Sequence, residues 1–98
     1  MGFKRSWVQI PPARVYFETM FHVYVLRSAK TGRRYIGSCE DIDHRLRRHN
    51  AGHSKATRHG IPWALIHSEC FATRAAAVDR ELYYKTGRGR DELDVLSQ

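Results

Sequence analysis

His22 to Gly37, HVYVLRSAKTGRRYIG, holds two short runs, His22-Val23-Tyr24-Val25-Leu26 and Arg34-Tyr35-Ile36-Gly37, separated by Lys30-Thr31-Gly32. Both runs are rich in β-branched and aromatic residues and the middle carries turn chemistry, so the unit predicts a β-hairpin. One tyrosine falls on each strand, Tyr24 and Tyr35, with ten residues between them. Alone, such a hairpin is ordinary, because cross-strand aromatics capping a sheet would produce the same pattern. The rest of the chain decides its meaning.

After the hairpin, Glu40 to Gly52 places acids in its first turn and arginines in its last. That order complements a helix dipole, and Gly52 is a natural stop. Ile42 and Leu46 form an i, i+4 apolar stripe, and Arg45 and His49 form a second pair at its edge, the flank that presents side chains into a cleft. His53 to Pro62 is polar, with Gly60 and Pro62 as breakers, and predicts a mobile basic loop. Trp63 to Phe71 predicts a third strand. Thr73 is an N-cap for a helix from Arg74 to Thr86, ended by Gly87. On that helix Val78 and Leu82 are expected to face the core, with Glu81 one position off the stripe and Lys85 at i+4 from it. Arg88-Gly89-Arg90 reads as a basic turn and Asp91 to Leu96 as a short final helix. The order β-β-α-β-α-α predicts an α+β fold, a small three-stranded antiparallel sheet flanked by helices.

With 98 residues the chain is one domain. Residues 1–19 show no periodicity and are broken by Pro11-Pro12, so they read as an extension, a loosely attached arm or a start-site artefact, ahead of a domain over 20–98. Neither a membrane-spanning stretch nor a signal peptide is evident. Cys39 and Cys70 make no disulfide framework; a reduced, cytoplasmic chain is the simpler reading, with a single bridge left open. The histidines and cysteines lack a zinc finger's spacing.

Charge carries more. Lys+Arg 17 against Asp+Glu 10 leaves +7. Between Arg27 and His59, nine Lys/Arg face three acids, with four histidines besides. A basic stripe this dense on so small a domain points to a polyanion, nucleic acid above all, rather than to a merely solvated face.

A Gly-Ile-Tyr triplet followed after a short turn by Tyr-Ile-Gly is the signature of the GIY-YIG nuclease superfamily, which this chain resembles as a small stand-alone, single-domain member. Tyr35-Ile36-Gly37 is a full second triplet. His22-Val23-Tyr24 keeps the tyrosine of the first, with histidine in place of glycine and valine in place of isoleucine. An arginine on the first helix, Arg45, a histidine one turn later, His49, and a glutamate on a later helix, Glu81, match in order and element type. Pro62-Trp63 and Lys85-Thr86-Gly87-Arg88-Gly89-Arg90 look like a subgroup of small members, and the resemblance runs over about residues 21 to 95.

The resemblance implies an endonuclease that hydrolyses phosphodiester bonds in DNA with little sequence specificity, structure-selective in repair or recombination. It implies Tyr24 as general base, Tyr35 and His49 as its supporting groups, Arg45 as phosphate clamp and Glu81 as the ligand of one Mg²⁺ or Mn²⁺ ion. A lone carboxylate can hold magnesium whose other ligands are waters and phosphate oxygens, and arginine offers a planar fork matched to phosphate. An ordinary tyrosine pKa near 10 makes the phenolate cost roughly 4 kcal/mol near neutral pH, so nearby cations must offset it. Arg27, Arg34, Arg47, Arg48, Lys55, Arg58, Lys85, Arg88 and Arg90 are the expected nucleic-acid contacts, with DNA preferred over RNA. The chain is expected to be a monomer or weak dimer off the membrane, with any finer specificity supplied by a protein partner. The competing expectation is a nucleic-acid-binding module on the same scaffold that does not cut.

Overall fold

A computed structural model of the chain describes residues 20–96; the reading of 1–19 as an extension lies outside them. Strand β1, Phe21–Ser28, is central in a three-stranded antiparallel sheet, with β2, Arg34–Cys39, on one side and β3, Trp63–Phe71, on the other. Its run Val23-Tyr24-Val25-Leu26 is at most 1% exposed, as expected of a strand covered on both faces. Alternation sends Val23 and Val25 to one face, packed with Ala77, Tyr84 and Leu93. Tyr24 and Leu26 go to the other face, with Cys39 and Trp63. Ser28 closes the hairpin: its buried hydroxyl accepts the Lys30 and Thr31 N–H groups and donates to the Gly60 carbonyl at 2.6 Å.

Helix α1, Ile42–Asn50, covers the Tyr24 face. Asp41 is its N-cap, accepting the His44 N–H at 3.1 Å, and Gly52 follows it in the left-handed region, the stop expected there. Ile42 and Leu46 pack against Tyr24 and Leu26 as the stripe predicted. Asn50 clamps the helix end to β3, donating to the Trp63 carbonyl and accepting its N–H at 2.6 Å. The segment 53–62, expected to be mobile, is instead fastened. Thr57 is fully buried, and its carbonyl accepts the Trp63 indole N–H at 2.8 Å. Arg58 donates to the Gly52 carbonyl, and a short 3₁₀ turn spans Arg58–Gly60.

The opposite face is covered by α2, Arg74–Tyr84, capped by Thr73 as predicted, and α3, Gly87–Leu96. Three expectations fail here. The core stripe of α2 is Ala77 and Tyr84, both fully buried, whereas Leu82 is 56% exposed and Val78 half-buried. Ala77 and Tyr84 pack instead in the cluster with Val23 and Val25 of the sheet. That turns Arg80 toward β3 and Glu81 toward β2. Gly87 does not end α2, which stops at Tyr84, but opens α3. The Thr86 hydroxyl accepts the Gly89 N–H at 3.0 Å, as an N-cap does. Arg88-Gly89-Arg90 is thus the first turn of α3 rather than a loop, and a side chain at Gly89 would collide with the Tyr83 carbonyl.

Cys39 and Cys70 are free thiols. Both sit opposite His22 from the two outer strands. Two strand spacings, about 9–10 Å, exceed the reach of a disulfide. No helix among the described residues is long and apolar enough to cross a membrane.

Candidate active site

Tyr24 lies opposite Gly37 on the neighbouring strand, and its ring end rests against that glycine: a Cβ at position 37 would meet Tyr24 Oη at 2.6 Å and Cζ at 2.7 Å. The missing side chain at Gly37 thus lets the tyrosine ring approach the strand closely. From there Tyr24 Oη reaches His49 Nε2 at 3.1 Å. His49 stands in the last turn of α1, is 4% exposed, and contacts Thr57 Oγ1 through Nδ1 at 2.7 Å. The Tyr35 ring lies 4.9 Å from the imidazole and 6.3 Å from the Tyr24 ring, with Trp63 edge-on behind it at 6.4 Å.

These groups open onto a cleft of about 350 Å³ lined by Tyr35, Arg45, Arg48, His49, His53 and Ser54. Tyr24 does not line it and is buried, with the Tyr35 and His49 rings 6.3 and 6.0 Å away. Burial pushes the Tyr24 pKa up to about 12, reinforced by Tyr35 and Cys39, while the Arg45 guanidinium pulls the other way. The 4 kcal/mol expected for a phenolate therefore rises to about 7 kcal/mol near neutral pH. Burial also lowers the His49 pKa, with Arg45 and Arg48 adding to the effect. The imidazole is thereby kept neutral.

Tyr24, Tyr35, Arg45 and His49 are thus brought together on one face. Glu81 is not in contact with them. It stands across β2, where the Ser38 hydroxyl donates to Oε1 and the Lys85 ammonium to Oε2, each at 2.8 Å. β2 is one of the two edge strands, and a second cleft of about 340 Å³ beside it is lined by Arg34, Tyr35, Ile36, Lys85 and Arg90. Tyr35 lines both clefts, so the two half-sites meet at the β2 edge.

Among the described residues, no three His, Cys, Asp or Glu side chains gather to hold a metal ion. A site needing several protein ligands is not built there. A single carboxylate fits an ion such as magnesium that retains most of its waters. The Lys85 ammonium already marks Glu81 Oε2 as a place where positive charge is held.

The expected phosphate contacts divide. Arg47 and Arg48 line a groove on the outer side of α1 with His44 and His53, and Lys85 and Arg90 line the second cleft. Arg27, Lys55, Arg58 and Arg88 are exposed. Arg34 and Lys85, however, are engaged within the fold, Arg34 with Asp94 at 2.8 Å and Lys85 with Glu81. Sequence reasoning missed Ser38 and Thr57, hydroxyls that meet Glu81 and His49 on other elements. It also missed a network in which Glu69 accepts from Arg80, Tyr84 and His67 while Arg80 and Tyr83 bond Glu92. The signal for that network was confined to the charge pattern of α2 and α3, which does not reveal β3 as the third partner.

The chain is similar to known proteins over most of its described residues. Residues 20–92 match the GIY-YIG catalytic domain. A UPF0213 protein of Bacillus licheniformis is 38% identical over 69 residues, spanning 69% of this chain and 71% of its own length. A UPF0213 protein of Staphylococcus saprophyticus is 32% identical over 78 residues, spanning 79% of this chain and 94% of its own. The solution NMR structure of the UPF0213 protein BH0048 from Bacillus halodurans, 29% identical, aligns with a TM-score of 0.49 over 79% of this chain and 84% of its own. With two hairpin tyrosines, a helix-borne arginine and histidine beside them, and a family match over most of its length, the chain belongs to the GIY-YIG family.

Proposed function

We propose that the chain is a metal-dependent endonuclease that hydrolyses phosphodiester bonds in DNA with little sequence preference, in the setting of cytoplasmic repair or recombination. The observation that supports it most is the buried Tyr24–His49 hydrogen bond behind a cleft lined by Arg45 and Arg48. Hydrolysis requires a proton acceptor for the attacking water, neutralisation of the phosphoryl oxygens and stabilisation of the leaving oxygen. A free Tyr24 phenolate is too costly at neutral pH, so Tyr24 and His49 act as one proton-accepting unit. Tyr35, at the cleft wall, positions the water and gives way for it as substrate enters. Arg45 grips the non-bridging phosphate oxygens as charge builds on them, and Arg48 supports it. Magnesium held by Glu81 would supply Lewis-acid charge neutralisation at the phosphate.

The second reading, a binding module that does not cut, is favoured by one observation: both Glu81 oxygens are already bonded, to Ser38 and Lys85. A cleavage assay on single-stranded, duplex and flapped DNA and on RNA, with and without Mg²⁺, separates the two. Wild type should cut DNA in Mg²⁺ alone and Glu81→Ala should bind without cutting. Binding without cutting by the wild type selects the second reading.

A further inference from the structure

We propose that Thr57 is a positioning residue that fixes the tautomer of His49 and thereby the direction in which Tyr24 gives up its proton. The inference rests on reading Tyr24 and His49 as the proton acceptor of a nuclease. A neutral imidazole has one N–H and one lone pair, and here both nitrogens are engaged, Nε2 with Tyr24 Oη at 3.1 Å and Nδ1 with Thr57 Oγ1 at 2.7 Å. Which nitrogen carries the proton is decided beyond the ring. The Thr57 hydroxyl donates to the Ser54 carbonyl at 3.4 Å, and a carbonyl can only accept. Thr57 Oγ1 then offers its lone pair to the ring, so Nδ1 carries the hydrogen and Nε2 is left as acceptor. Tyr24 must donate to it.

The opposite tautomer would turn the Thr57 hydroxyl away from Ser54. It would also leave the Tyr24 hydrogen without an acceptor in a site 1% exposed. Thr57 has little freedom to allow this. It is fully buried, its carbonyl receives the Trp63 indole and Gly60 N–H groups, and its own N–H is bonded to Ser54. The chain Tyr24, His49, Thr57, Ser54 therefore runs in one direction, each group donating to the next.

That direction suits the reaction. As water attacks phosphorus, its O–H bond breaks and the proton goes to Tyr24 Oη, while the Tyr24 hydrogen passes to His49 Nε2. The bond from phosphorus to the leaving oxygen breaks, and that oxygen takes a proton from solvent. The imidazolium, its Nδ1–H still on Thr57, returns its proton to solvent after product leaves. The net change is one water and one diester to one monoester and one alcohol, and no free phenolate is formed.

The test compares full-length wild type, Thr57→Ser and Thr57→Val. Imidazole ¹⁵N shifts of His49, read by NMR without substrate, report the tautomer independently of activity. Wild type and Thr57→Ser should show a protonated Nδ1, and Thr57→Val a shift toward protonated Nε2. Single-turnover cleavage should fall about 10- to 100-fold in Thr57→Val and stay within about threefold in Thr57→Ser. A protonated Nε2 in wild type, or an unchanged tautomer in Thr57→Val, overturns the proposal. The wild-type and Thr57→Ser spectra decide it even if Thr57→Val does not fold. Should the tautomers behave as stated while wild type cuts no DNA, the nuclease reading fails and the positioning role of Thr57 stands.

Discussion

Replacing Gly37 by alanine should damage both stability and turnover through a single contact. The new methyl would sit 2.6 Å from Tyr24 Oη and 2.7 Å from Cζ. To reach ordinary contact the ring end must retreat by about 0.8–1 Å, which shifts Tyr24 Oη off its 3.1 Å hydrogen-bonding position against His49. Overpacking of this kind costs about 1–3 kcal/mol. Stranding the Tyr24 and His49 polar atoms adds about 1–3 kcal/mol. Alanine returns about 0.5–1 kcal/mol by restricting the unfolded chain. The net loss is about 3 kcal/mol, within a range of about 1–5, which for a domain of this size lowers the thermal midpoint by roughly 12–24 °C. Cleavage by the surviving folded fraction, measured under single turnover below the midpoint, should fall at least about 100-fold because the proton acceptor is broken. Gly87→Ala is the control: nothing lies within 4 Å of a Cβ there, and its stability should be unchanged or slightly raised. A Gly37→Ala protein that loses less than about 0.5 kcal/mol and cuts at the wild-type rate would refute the reasoning.

Other outcomes follow from the charges and the buried rings. Tyr24 and Tyr84 both have pKa values raised from 10.0 to about 12, so the folded state favours their protonated forms. Each contributes roughly 2–3 kcal/mol below pH 10 that is lost as pH rises through 12, to be seen as a steep alkaline fall in urea stability. The lowered His49 pKa means that its contribution is present above pH 6.5 and is lost as pH falls through the folded value; the acid limb of kcat/KM should therefore lie below pH 6.5. Glu69→Gln weakens the contacts to Arg80, Tyr84 and His67 and should cost about 2–3 kcal/mol in denaturant unfolding, with DNA binding unchanged. If about four to six basic residues touch phosphate, log K should fall with log[salt] at a slope of about −3 to −5. Arg48→Ala should lower that slope by about one, whereas Arg34→Ala, removing a residue already paired with Asp94, should leave it unchanged.

Most of the framework is legible in the sequence because it is written locally. The hairpin, the acid-to-base polarity of α1, Gly52 and the Thr73 cap each depend on residues within a turn or two of one another. The misread features depend on packing contacts that local pattern does not reveal. Lys85-Thr86-Gly87 reads equally as a glycine stop or as a threonine cap, and the close approach of Gly89 to the Tyr83 backbone favours the cap. The α2 stripe is set by Tyr84 and Ala77 on the sheet rather than by the more apolar Leu82. A bulge in β3 skips a residue between the partners of Val25 and Leu26, so Trp63 faces α1 while His67 and Glu69 face α2 and α3. Simple alternation would put all three on one face, which hides the Glu69 network. Of the site, Arg45 and His49 could be read from helical spacing, and the tyrosines from the hairpin. The burial of Tyr24, the separation of Glu81 across β2 and the contact of Thr57 with His49 could not, since each arises from packing between elements.

The most direct test of the account is a double-mutant cycle on single-turnover DNA cleavage in Mg²⁺, using Tyr24→Phe, His49→Ala and both together, with binding measured alongside. If Tyr24 and His49 form one proton-accepting unit, each single change should lower the rate by about 100-fold or more, and the double variant should be little worse than the poorer single one, with affinity nearly unchanged. Losses that multiply in the double variant, or a wild type that binds DNA and leaves it uncut, would contradict the account.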